Sequence, residues 1–522
     1  MKKKRVLSWL LVISMLVTGF ALTSCKGDDD DDDDDDYEVS EDDLSPAFYG
    51  EVKNYKGAYT ILTETDRTKG SAFNVVDVVE TDNLGDSAII AAVQKRNDLI
   101  YQNFKTTIKR SPQGDVDEAY NKALEACRSG DDTYDAFCLA VNNGIRLATQ
   151  DYAVELGEHE YIDFDAEWWD KGVYESLKLA GGTYIAIGDL LTVDKDATWC
   201  VLFNKDILEI RGNGLTDIKL YDKVLEGNGV SGGWTLEYMM SKAQNIAVEE
   251  DDSSKNIWDP EYDGEGSYGL FTQDQTITAL LQSGGFAPTK VNSAEPTGVV
   301  NNMDDNFDEA VQRLWDNYGK VMNTTWFCRL DDITKSSGLD DPWRDIARGG
   351  FKNGKATFFF CHVGTIDLIR DMQSDFGVLP VPKLYDEQTE YSNTIQYNNA
   401  HCYVVPRRTE NKEDKSVYIL EAMAYYSSQE YCDKDSLNYA FYDKVLRGKA
   451  TRDDKSWEML DLIFENRVYD LACALNINKI VNSIYSAVRN SGYCNWSFEK
   501  DGAQAGFNTA IAKELEALTQ AR

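Results

Sequence analysis

The fold class is decided by a stretch that begins at Trp199 and reads Trp199-Cys200-Val201-Leu202-Phe203-Asn204-Lys205-Asp206-Ile207-Leu208. Its first five residues are apolar and rich in aromatic and β-branched side chains, the composition of a buried strand. The same signature predicts further strands along the chain, at residues 59–62, 73–79, 134–141, 184–187, 356–360, 376–379 and 402–405.

Helical periodicity separates these strands. Ile89, Val93, Ile100, Phe104 and Ile108 recur at spacings of four and seven, which predicts one helical face, with Asp86 or Ser87 as its cap. Similar patterns predict helices at 117–128, 235–248 and 307–322, and a mostly helical C-terminal region at 417–429, 456–467, 477–488 and 502–521. Strands that alternate with helices indicate an α/β protein with largely parallel sheets.

Length and charge exclude several classes of protein. The chain has 522 residues, too many for one hydrophobic core, so we expect two lobes. Lys and Arg number 53 against 90 Asp and Glu, a net charge of −37. Nucleic acid is therefore not an expected partner, because phosphate binding needs clustered cations. An anionic membrane surface would repel the chain as well.

The N-terminus carries an export signal. Four cationic residues, 2–5, precede an apolar stretch at 6–22, which is short for a membrane span and typical of a secretory signal. The stretch ends in Leu22-Thr23-Ser24-Cys25, which resembles the lipobox of bacterial lipoproteins, in which the Cys is lipidated. We expect residues 1–24 to be removed and Cys25 to anchor the chain at the extracellular face of the cytoplasmic membrane. An ordinary signal cleaved nearby is the alternative.

Residues 25–57 are predicted to form an acidic tether, because nine consecutive aspartates at 28–36 repel one another and extend the chain. Nine cysteines follow Cys25 at scattered spacings without a CxxC, so we expect most of them to be free.

No catalytic or metal-binding pattern stands out. The three histidines, His159, His362 and His401, are not at metal-ligand spacing, and the HExxH and P-loop motifs are absent from the sequence. Residues 259–264 resemble the start of a calcium loop, but Leu270 stands where a bidentate Glu should be. We therefore expect no enzyme activity, no metal and no cofactor, although 90 acidic residues can always supply the carboxylate pair of a glycosidase.

Tryptophan is abundant, with eleven residues, of which only Trp9 lies in the signal. Sugars present apolar faces that stack on aromatic rings, and hydroxyls that bond to carboxylates, amides and Arg. This composition fits carbohydrate capture, although core packing is the simpler interpretation of any single Trp.

Four segments in order resemble the sugar-binding extracellular solute-binding proteins of bacterial ABC importers. They are 201–208 (VLFNKDIL), 233–237 (GWTLE), 351–358 (FKNGKATF) and 376–383 (FGVLPVPK). Residues 92–97 and 452–460 resemble the larger clostridial lipoprotein type. Where many sugar binders have G-x-W after the third segment, this chain has residues 361–365 (CHVGT), so a stacking Trp is missing there.

The resemblance implies a two-lobed type II periplasmic-binding-protein fold with an interlobe cleft and a helical C-terminal region. Lobe 1 would comprise 58–187 and 400–450, and lobe 2 would comprise 192–395 and 451–522. Ligand would bind across the cleft and favour the closed state, which ABC permease subunits would recognise. We expect a monomer, held to the membrane by its lipid anchor only.

By analogy, the cleft would be lined by stacking tryptophans, by polar residues near the crossing segments, and by residues after the 356–360 strand. The candidates are Trp169, Asp170, Asp189, Trp199, Trp234, Trp343, Arg344, His362, Thr365, Asn398 and Asn399. A secreted glycan-active enzyme and a surface glycan-binding protein without a transporter remain alternatives, and peptide or amino-acid derivatives remain possible ligands.

Overall fold

A computed structural model describes residues 54–67, 71, 73–79, 86–252, 255–408, 410–490 and 492–521. The predicted signal, Cys25 and all but the last four residues of the predicted tether lie outside this part of the chain. Within the described residues, no helix combines the length and the hydropathy that a membrane span requires.

The strands form two main sheets and a hairpin. In chain order they are β1 (Gly57–Thr63), β2 (Thr106–Pro112), β3 (Ala136–Ala140), β4 (Trp199–Asn204), β5 (Tyr268–Thr272), β6 (Thr289–Val291), β7 (Val299–Asn301), β8 (Phe327–Arg329), β9 (Ala356–His362), β10 (Phe376–Leu379) and β11 (His401–Val404).

The first sheet has the order β11-β3-β1-β2. Strands β2 and β3 pair with β1 in parallel, and β11 is antiparallel to β3, with His401 opposite Ala140. The second sheet has the order β10-β4-β9-β5-β8, in which β5 is parallel to both of its neighbours and β4 is antiparallel to both of its own. Strands β6 and β7 form a separate antiparallel pair. We call the two sheets with their helices lobe 1 and lobe 2.

The helices cover these sheets and fill the C-terminal region. Those before β9 are Ser87–Phe104, Val116–Ser129, Val141–Thr149, Lys171–Ser176, Val193–Asp196, Lys205–Arg211, Asp217–Gly227, Leu236–Ile246, Thr276–Ser283, Asp305–Asn317, Leu330–Ser336 and Gly349–Lys352. Those after it are Thr365–Leu368, Glu410–Ser427, Gln429–Cys432, Leu437–Tyr439, Asp454–Glu465, Leu471–Leu475, Ile480–Arg489, Trp496–Gln504, Phe507–Glu514 and Glu516–Ala521. Shorter 3-10 turns occur at Gly319–Val321, Asp433–Asp435 and Ile477–Lys479, and π-helical turns at Trp343–Arg348 and Ala440–Ala450.

Local sequence explains where the first helices start and stop. The Asp86 carboxylate accepts a hydrogen bond from the Ala88 N–H, as predicted for a cap. The helix then ends at Phe104 because Lys105 adopts a left-handed conformation, with φ 51°. The prediction that Ile108 shares the helical face is therefore wrong, since Ile108 lies in β2.

Two predicted strands are not strands. Residues 73–79 read as a buried strand, but in the structure they form irregular chain that ends in a bend. The Asp77 carboxylate instead accepts hydrogen bonds from the backbone and the hydroxyl of Thr192. Residues 184–187 make only an isolated pairing of Ala186 with Tyr403, so this segment is an extended crossing rather than a ladder strand.

The predicted C-terminal helix at 502–521 is broken into shorter helices. One break follows Gln504, where Gly506 adopts φ 76°, and the next falls at Leu515. The last of these helices contacts the lobe 1 helix Val141–Thr149, and the Thr149 hydroxyl donates to Glu514 Oε1 at 3.1 Å. The helix Ile480–Arg489 contacts Thr276–Ser283 of lobe 2. The C-terminal region therefore touches both lobes.

Apolar packing also joins the lobes. One core cluster contains Val93 of the first long helix together with Leu202 of β4 and Phe359 of β9. The nine cysteines in the described part of the chain are free, and Cys200 lies opposite Cys361 on adjacent strands of this core.

Candidate functional site

The parallel strands of both sheets end at the boundary between the lobes. In lobe 1, β1 ends at Thr63 and β3 at Ala140, and in lobe 2, β5 ends at Thr272 and β9 at His362. Open α/β sheets bind ligands at such carboxyl ends, because the loops there are free to vary while the sheet fixes their positions. This interlobe boundary is the candidate site.

Crossing segments run side by side at the boundary. The chain passes between the lobes after β3, between β10 and β11, and again after the helix Glu410–Ser427. The Trp199 N–H donates to Thr394 O at 2.9 Å, and the Val468 N–H donates to Asn393 O at 2.8 Å. Two lobes that are joined by only a few chain segments can close about those segments as a hinge.

A cavity of about 360 Å³ opens at this boundary. Lobe 1 contributes Asn142 and Arg146 from the start of the helix that follows β3, and lobe 2 contributes Gln275 from the loop that follows β5. The other described lining residues are Trp199, Thr278, Ala279, Gln282, Thr394, Ile395, Gln396, Tyr397, Asn398, Cys473, Ala474, Leu475, Asn476, Val481 and Tyr485. We call this space the cleft cavity.

Amides and hydroxyls dominate the cleft cavity. Among its described lining residues, Arg146 is the one that carries a charge at neutral pH, and none is Asp or Glu. The Tyr397 hydroxyl donates to Gln282 Oε1 at 2.6 Å and accepts from the Asp470 N–H at 2.7 Å. A surface of neutral donors and acceptors beside an indole suits an uncharged, polyhydroxylated molecule.

His362 and Trp199 form the aromatic part of the boundary. Their ring centroids are 4.1 Å apart, and Phe73 of lobe 1 meets the His362 ring edge-on at 5.4 Å. Burial lowers the pKa of His362 to about 3, so the imidazole is neutral at physiological pH. Its Nε2 atom is buried without a hydrogen-bond partner in the protein, so this atom can still form a hydrogen bond with a small polar group.

A line of side-chain hydrogen bonds crosses the boundary. Arg67 donates to Asn399 Oδ1 at 2.6 Å, Asn399 donates to Gln396 Oε1 at 2.5 Å, and Gln396 donates to Gln275 Oε1 at 3.0 Å. Glu64 accepts from the Arg67 guanidinium at 2.9 Å and fixes the lobe 1 end of the line. The line therefore couples a loop of lobe 1, a crossing segment and a loop of lobe 2.

Three predicted site residues lie at a second cavity, of about 450 Å³, beside the crossing segments. Asp170 accepts from Arg467 and from the Tyr469 hydroxyl, and Arg467 also donates to Asp194 at 2.8 Å. Asp189 accepts from Asn438 at 2.5 Å, and burial raises the pKa of Asp189 to about 6. The third residue, Trp169, is buried, and its indole donates to Glu421. We call this region the hinge cavity.

The remaining predicted residues are spread over the molecule. Four of them come together at the interlobe boundary: Trp199, His362, Asn398 and Asn399. Thr365 is buried at the start of a short helix after β9.

Three others lie in lobe 2, outside the residues that line the cleft cavity. Trp234 is fully buried, and its indole donates to Pro380 O at 3.0 Å. Trp343 packs partly buried against the core cluster, and the exposed Arg344 pairs with Asp345.

Sequence reasoning did not identify Asn142, Arg146, Gln275 and Gln282. Asn142 follows a predicted strand directly, so its position was a usable signal. Gln275 and Gln282 follow β5, which was not predicted, and no pattern in the sequence singles them out.

Comparison with known proteins places this geometry in a known fold. No protein-family model and no curated protein matches the chain. Among solved structures, an ABC substrate-binding protein of Listeria monocytogenes, Lmo0181, in complex with cycloalternan, is 14% identical with a TM-score of 0.51 over 88% of this chain and 99% of that chain. UspC of M. tuberculosis is 14% identical with a TM-score of 0.51 over 87% of this chain and 100% of that chain. The predicted two-lobed periplasmic-binding fold is therefore confirmed.

Proposed function

We propose that the protein is the substrate-binding component of an ABC importer and captures a carbohydrate by closing its lobes. The observation that carries the proposal is the cleft cavity, which residues of both lobes line with amides, hydroxyls and one indole. The Listeria protein of similar fold is described as an ABC substrate-binding protein in complex with cycloalternan, a carbohydrate, which supports the same ligand class here.

Lobe closure follows from the placement of the lining residues. Asn142 and Arg146 belong to lobe 1, whereas Gln275 and Gln282 belong to lobe 2. A ligand that bonds to both sets binds the closed state more tightly than the open one, so binding shifts the equilibrium toward closure. The hydrogen bond between Gln396 and Gln275 already links the crossing segment to lobe 2, and it would tighten as the lobes close.

Capture without chemical change is part of the proposal. Hydrolysis of a glycosidic bond uses two carboxyl groups that flank the bond. The described residues that line the cleft cavity include no Asp or Glu. This favours a binding protein over the glycan-active enzyme.

The site residues follow from the same geometry. We propose that Trp199 stacks on a sugar face, that Asn398 and Asn399 bond to hydroxyls, and that His362 and Thr365 support the floor behind them. To these we add Asn142, Arg146, Gln275 and Gln282 as polar contacts. Trp169, Asp170 and Asp189 belong to the hinge cavity, where we propose that they set the position of the crossing segments rather than contact ligand.

Location completes the proposal. Acylation at Cys25 would hold the protein at the extracellular face of the membrane, with residues 25–57 as its tether, and the closed form would deliver its ligand to the permease. Mass spectrometry of the membrane-extracted protein tests this, since a diacylglyceryl group on an N-terminal Cys25 is expected. An unmodified N-terminus elsewhere would contradict the anchor and leave carbohydrate capture untouched.

A thermal-shift screen tests the ligand class. Purified protein from residue 26 onward is heated with mono- and oligosaccharides, and calorimetry then measures the affinity of those that raise Tm. Ligand at 100 times its Kd stabilises the folded state by about 2.7 kcal/mol. Amino acids and short peptides serve as the control set. Stabilisation by peptides alone, or release of shorter sugars on incubation, would contradict the proposal.

A further inference from the structure

Two of the free cysteines face each other across the sheet of lobe 2. Cys200 of β4 is directly opposite Cys361 of β9 in an antiparallel pairing. Two residues away, the Val363 N–H donates to Thr198 O at 2.9 Å, which identifies those opposite residues as a hydrogen-bonded pair. Hydrogen-bonded pairs recur at every second residue of an antiparallel ladder. Cys200 and Cys361 are therefore the next such pair, in which the Cα atoms are about 5.5 Å apart.

The spacing of these two cysteines suits a covalent link. A disulfide joins cysteines whose Cα atoms are roughly 4.4–6.8 Å apart. Opposite residues of a sheet have their side chains on the same face, and the thiols of Cys200 and Cys361 are in hydrogen-bond contact. A bond between the two sulfur atoms therefore requires rotation of the side chains and little movement of the strands.

The sheet of lobe 1 provides a contrast. Cys138 of β3 and Cys402 of β11 also lie on adjacent strands and are also buried. They are one residue out of register, however, since Cys138 is opposite Tyr403. A difference of one residue places two side chains on opposite faces of a sheet, so this second pair is not positioned for a link. The register of lobe 2, in contrast, brings Cys200 and Cys361 face to face.

The facing cysteines lie behind the aromatic part of the interlobe boundary. Trp199 and His362 are their neighbours in sequence, and the rings of these two residues are 4.1 Å apart. Trp199 also lines the cleft cavity. Successive side chains of a strand point to opposite faces, so the two sulfur atoms lie on the face of the sheet that is turned away from the rings. A link between Cys200 and Cys361 would therefore fix the spacing of β4 and β9 directly behind the ring pair.

The core closes over both thiols. The exposed fraction is 0% for Cys200 and 2% for Cys361, and both belong to the core cluster that also contains Leu202 and Phe359. Burial raises the pKa of the Cys200 thiol well above its ordinary value. Disulfides form and break through a thiolate that must reach another sulfur atom, so the folded core protects the pair from oxidants and from reductants. The bonding state of the pair is therefore fixed while the chain folds.

We propose that Cys200 and Cys361 are a disulfide site, which is linked when the chain folds in the presence of a disulfide oxidant and is then preserved by the core. With a small disulfide such as oxidised glutathione, the thiolate of one cysteine attacks a sulfur atom of the oxidant and releases one thiol. The thiolate of the other cysteine attacks the mixed disulfide and releases the second thiol. The pair loses two electrons and two protons, which leave with the two released thiols. This inference goes beyond the proposed function and does not depend on the ligand.

Peptide mapping of the protein from residue 26 onward tests the proposal. The chain is reduced and unfolded in urea, and is then refolded either with reduced glutathione alone or with a mixture of oxidised and reduced glutathione. Free thiols are alkylated during a second unfolding, and a non-reducing digest is analysed by mass spectrometry. We expect the peptides of Cys200 and Cys361 to be joined after oxidising refolding only. Protein that was folded in the reduced state and then kept in the oxidising mixture should yield the two peptides separately.

Matched variants connect the link to stability. For the wild type, we expect oxidising refolding to raise Tm by about 2 °C or more over reducing refolding, because a link between the two cysteines restricts the unfolded chain. Cys138→Ala removes a buried cysteine that has no facing partner, and this variant should keep the difference in Tm. Cys200→Ala should lose it.

Each part of the proposal has its own contrary result. Separate peptides for Cys200 and Cys361 after oxidising refolding would overturn the disulfide site. Joined peptides from the protein that met the oxidant only after folding would overturn protection by the core. A difference in Tm that persists in Cys200→Ala would contradict the link as the source of the added stability. None of these results bears on glycan capture by the reduced protein.

Discussion

Two tryptophans of lobe 2 are equally buried but have different surroundings. Trp199 lines the cleft cavity and rests on His362, whereas Trp234 bonds to Pro380 and packs against Phe358. Composition predicted that tryptophans stack on ligand, but it cannot distinguish a ring at the cavity wall from a ring in the core.

The pair provides a matched test. We expect Trp199→Phe to weaken binding of the best glycan about tenfold, about 1.4 kcal/mol, because the smaller ring covers less of a sugar face. Trp234→Phe should leave affinity unchanged and lower only the free energy of unfolding. Calorimetry and urea unfolding of both variants measure this, and equal affinities for Trp199→Phe and the wild type would remove Trp199 from the site.

His362 makes stability depend on pH. Its pKa falls from 6.5 to about 3 on folding because the ring is buried, so the unfolded chain binds the proton first as pH drops. Stability is therefore complete above about pH 6.5 and is lost on the way down to pH 3, by at most about 1.4 kcal/mol per pH unit. His401, whose pKa is lowered to about 3 mainly by burial, acts in the same direction.

We expect His362→Gln to lose less stability than the wild type between pH 7 and pH 5. Urea unfolding at pH 7, 6 and 5 measures the difference, and His401→Gln provides the comparison. Parallel stability profiles of His362→Gln and the wild type would show that His362 does not stay neutral in the folded state.

At the scale of elements, the crossing segment carries Asp189, whose pKa rises on folding, whereas the pKa of His362 falls. Burial raises the pKa of Asp189 to about 6, against the smaller opposing effects of Lys195 and the Asn438 bond. Here the folded state binds the proton first, so stability present at low pH is lost as pH rises from 3.8 through 6.

Asp189→Asn should therefore stabilise the protein at pH 8, by about 1–2 kcal/mol, and about half as much at pH 5. Urea unfolding of the variant and the wild type at pH 8 and pH 5 measures the gain in the free energy of unfolding. Asp163→Asn is the control, because it removes a carboxylate outside the hinge cavity. A uniform effect of Asp189→Asn at both pH values would contradict a buried carboxylate at the hinge.

Most of the buried apolar strands were predicted, but β5 was missed although four of its five residues are buried. The strands β4, β9, β10 and β11 are fully buried, and the sequence predicted all four. Strand β2 was missed because its sequence holds no apolar run, with Lys109, Arg110 and Ser111 on or near the surface. Residues 73–79 have the composition of a strand but no partner strand, which a local pattern cannot reveal.

The site followed the same rule. Trp199, His362 and Asn399, which the resemblance suggested as cleft residues, lie in or next to predicted strands and meet at the interlobe boundary, and their contact with ligand stays a prediction. Arg146 lies one helical turn beyond its strand, and Tyr485 lies in the C-terminal region, so their place at the cleft cavity depends on long-range packing.

At the scale of the whole molecule, closure should be measurable in solution. We expect a saturating glycan to decrease the radius of gyration in small-angle scattering, because ligand favours the closed lobes. Gln275→Ala removes the bond that links lobe 2 to Gln396, and should require more ligand for the same decrease. An unchanged radius with bound ligand would contradict closure.

The order of the strands has a consequence for biogenesis. The sheet of lobe 1 is finished only by β11, which follows every strand of lobe 2 along the chain. A chain threaded through a pore from its N-terminus cannot complete this sheet until residue 404 has emerged. Until then, β3 lacks its pairing with β11. Late pairing of this kind slows folding and keeps a polypeptide competent for translocation, while it also prolongs the time in which holdase chaperones must shield its exposed strands.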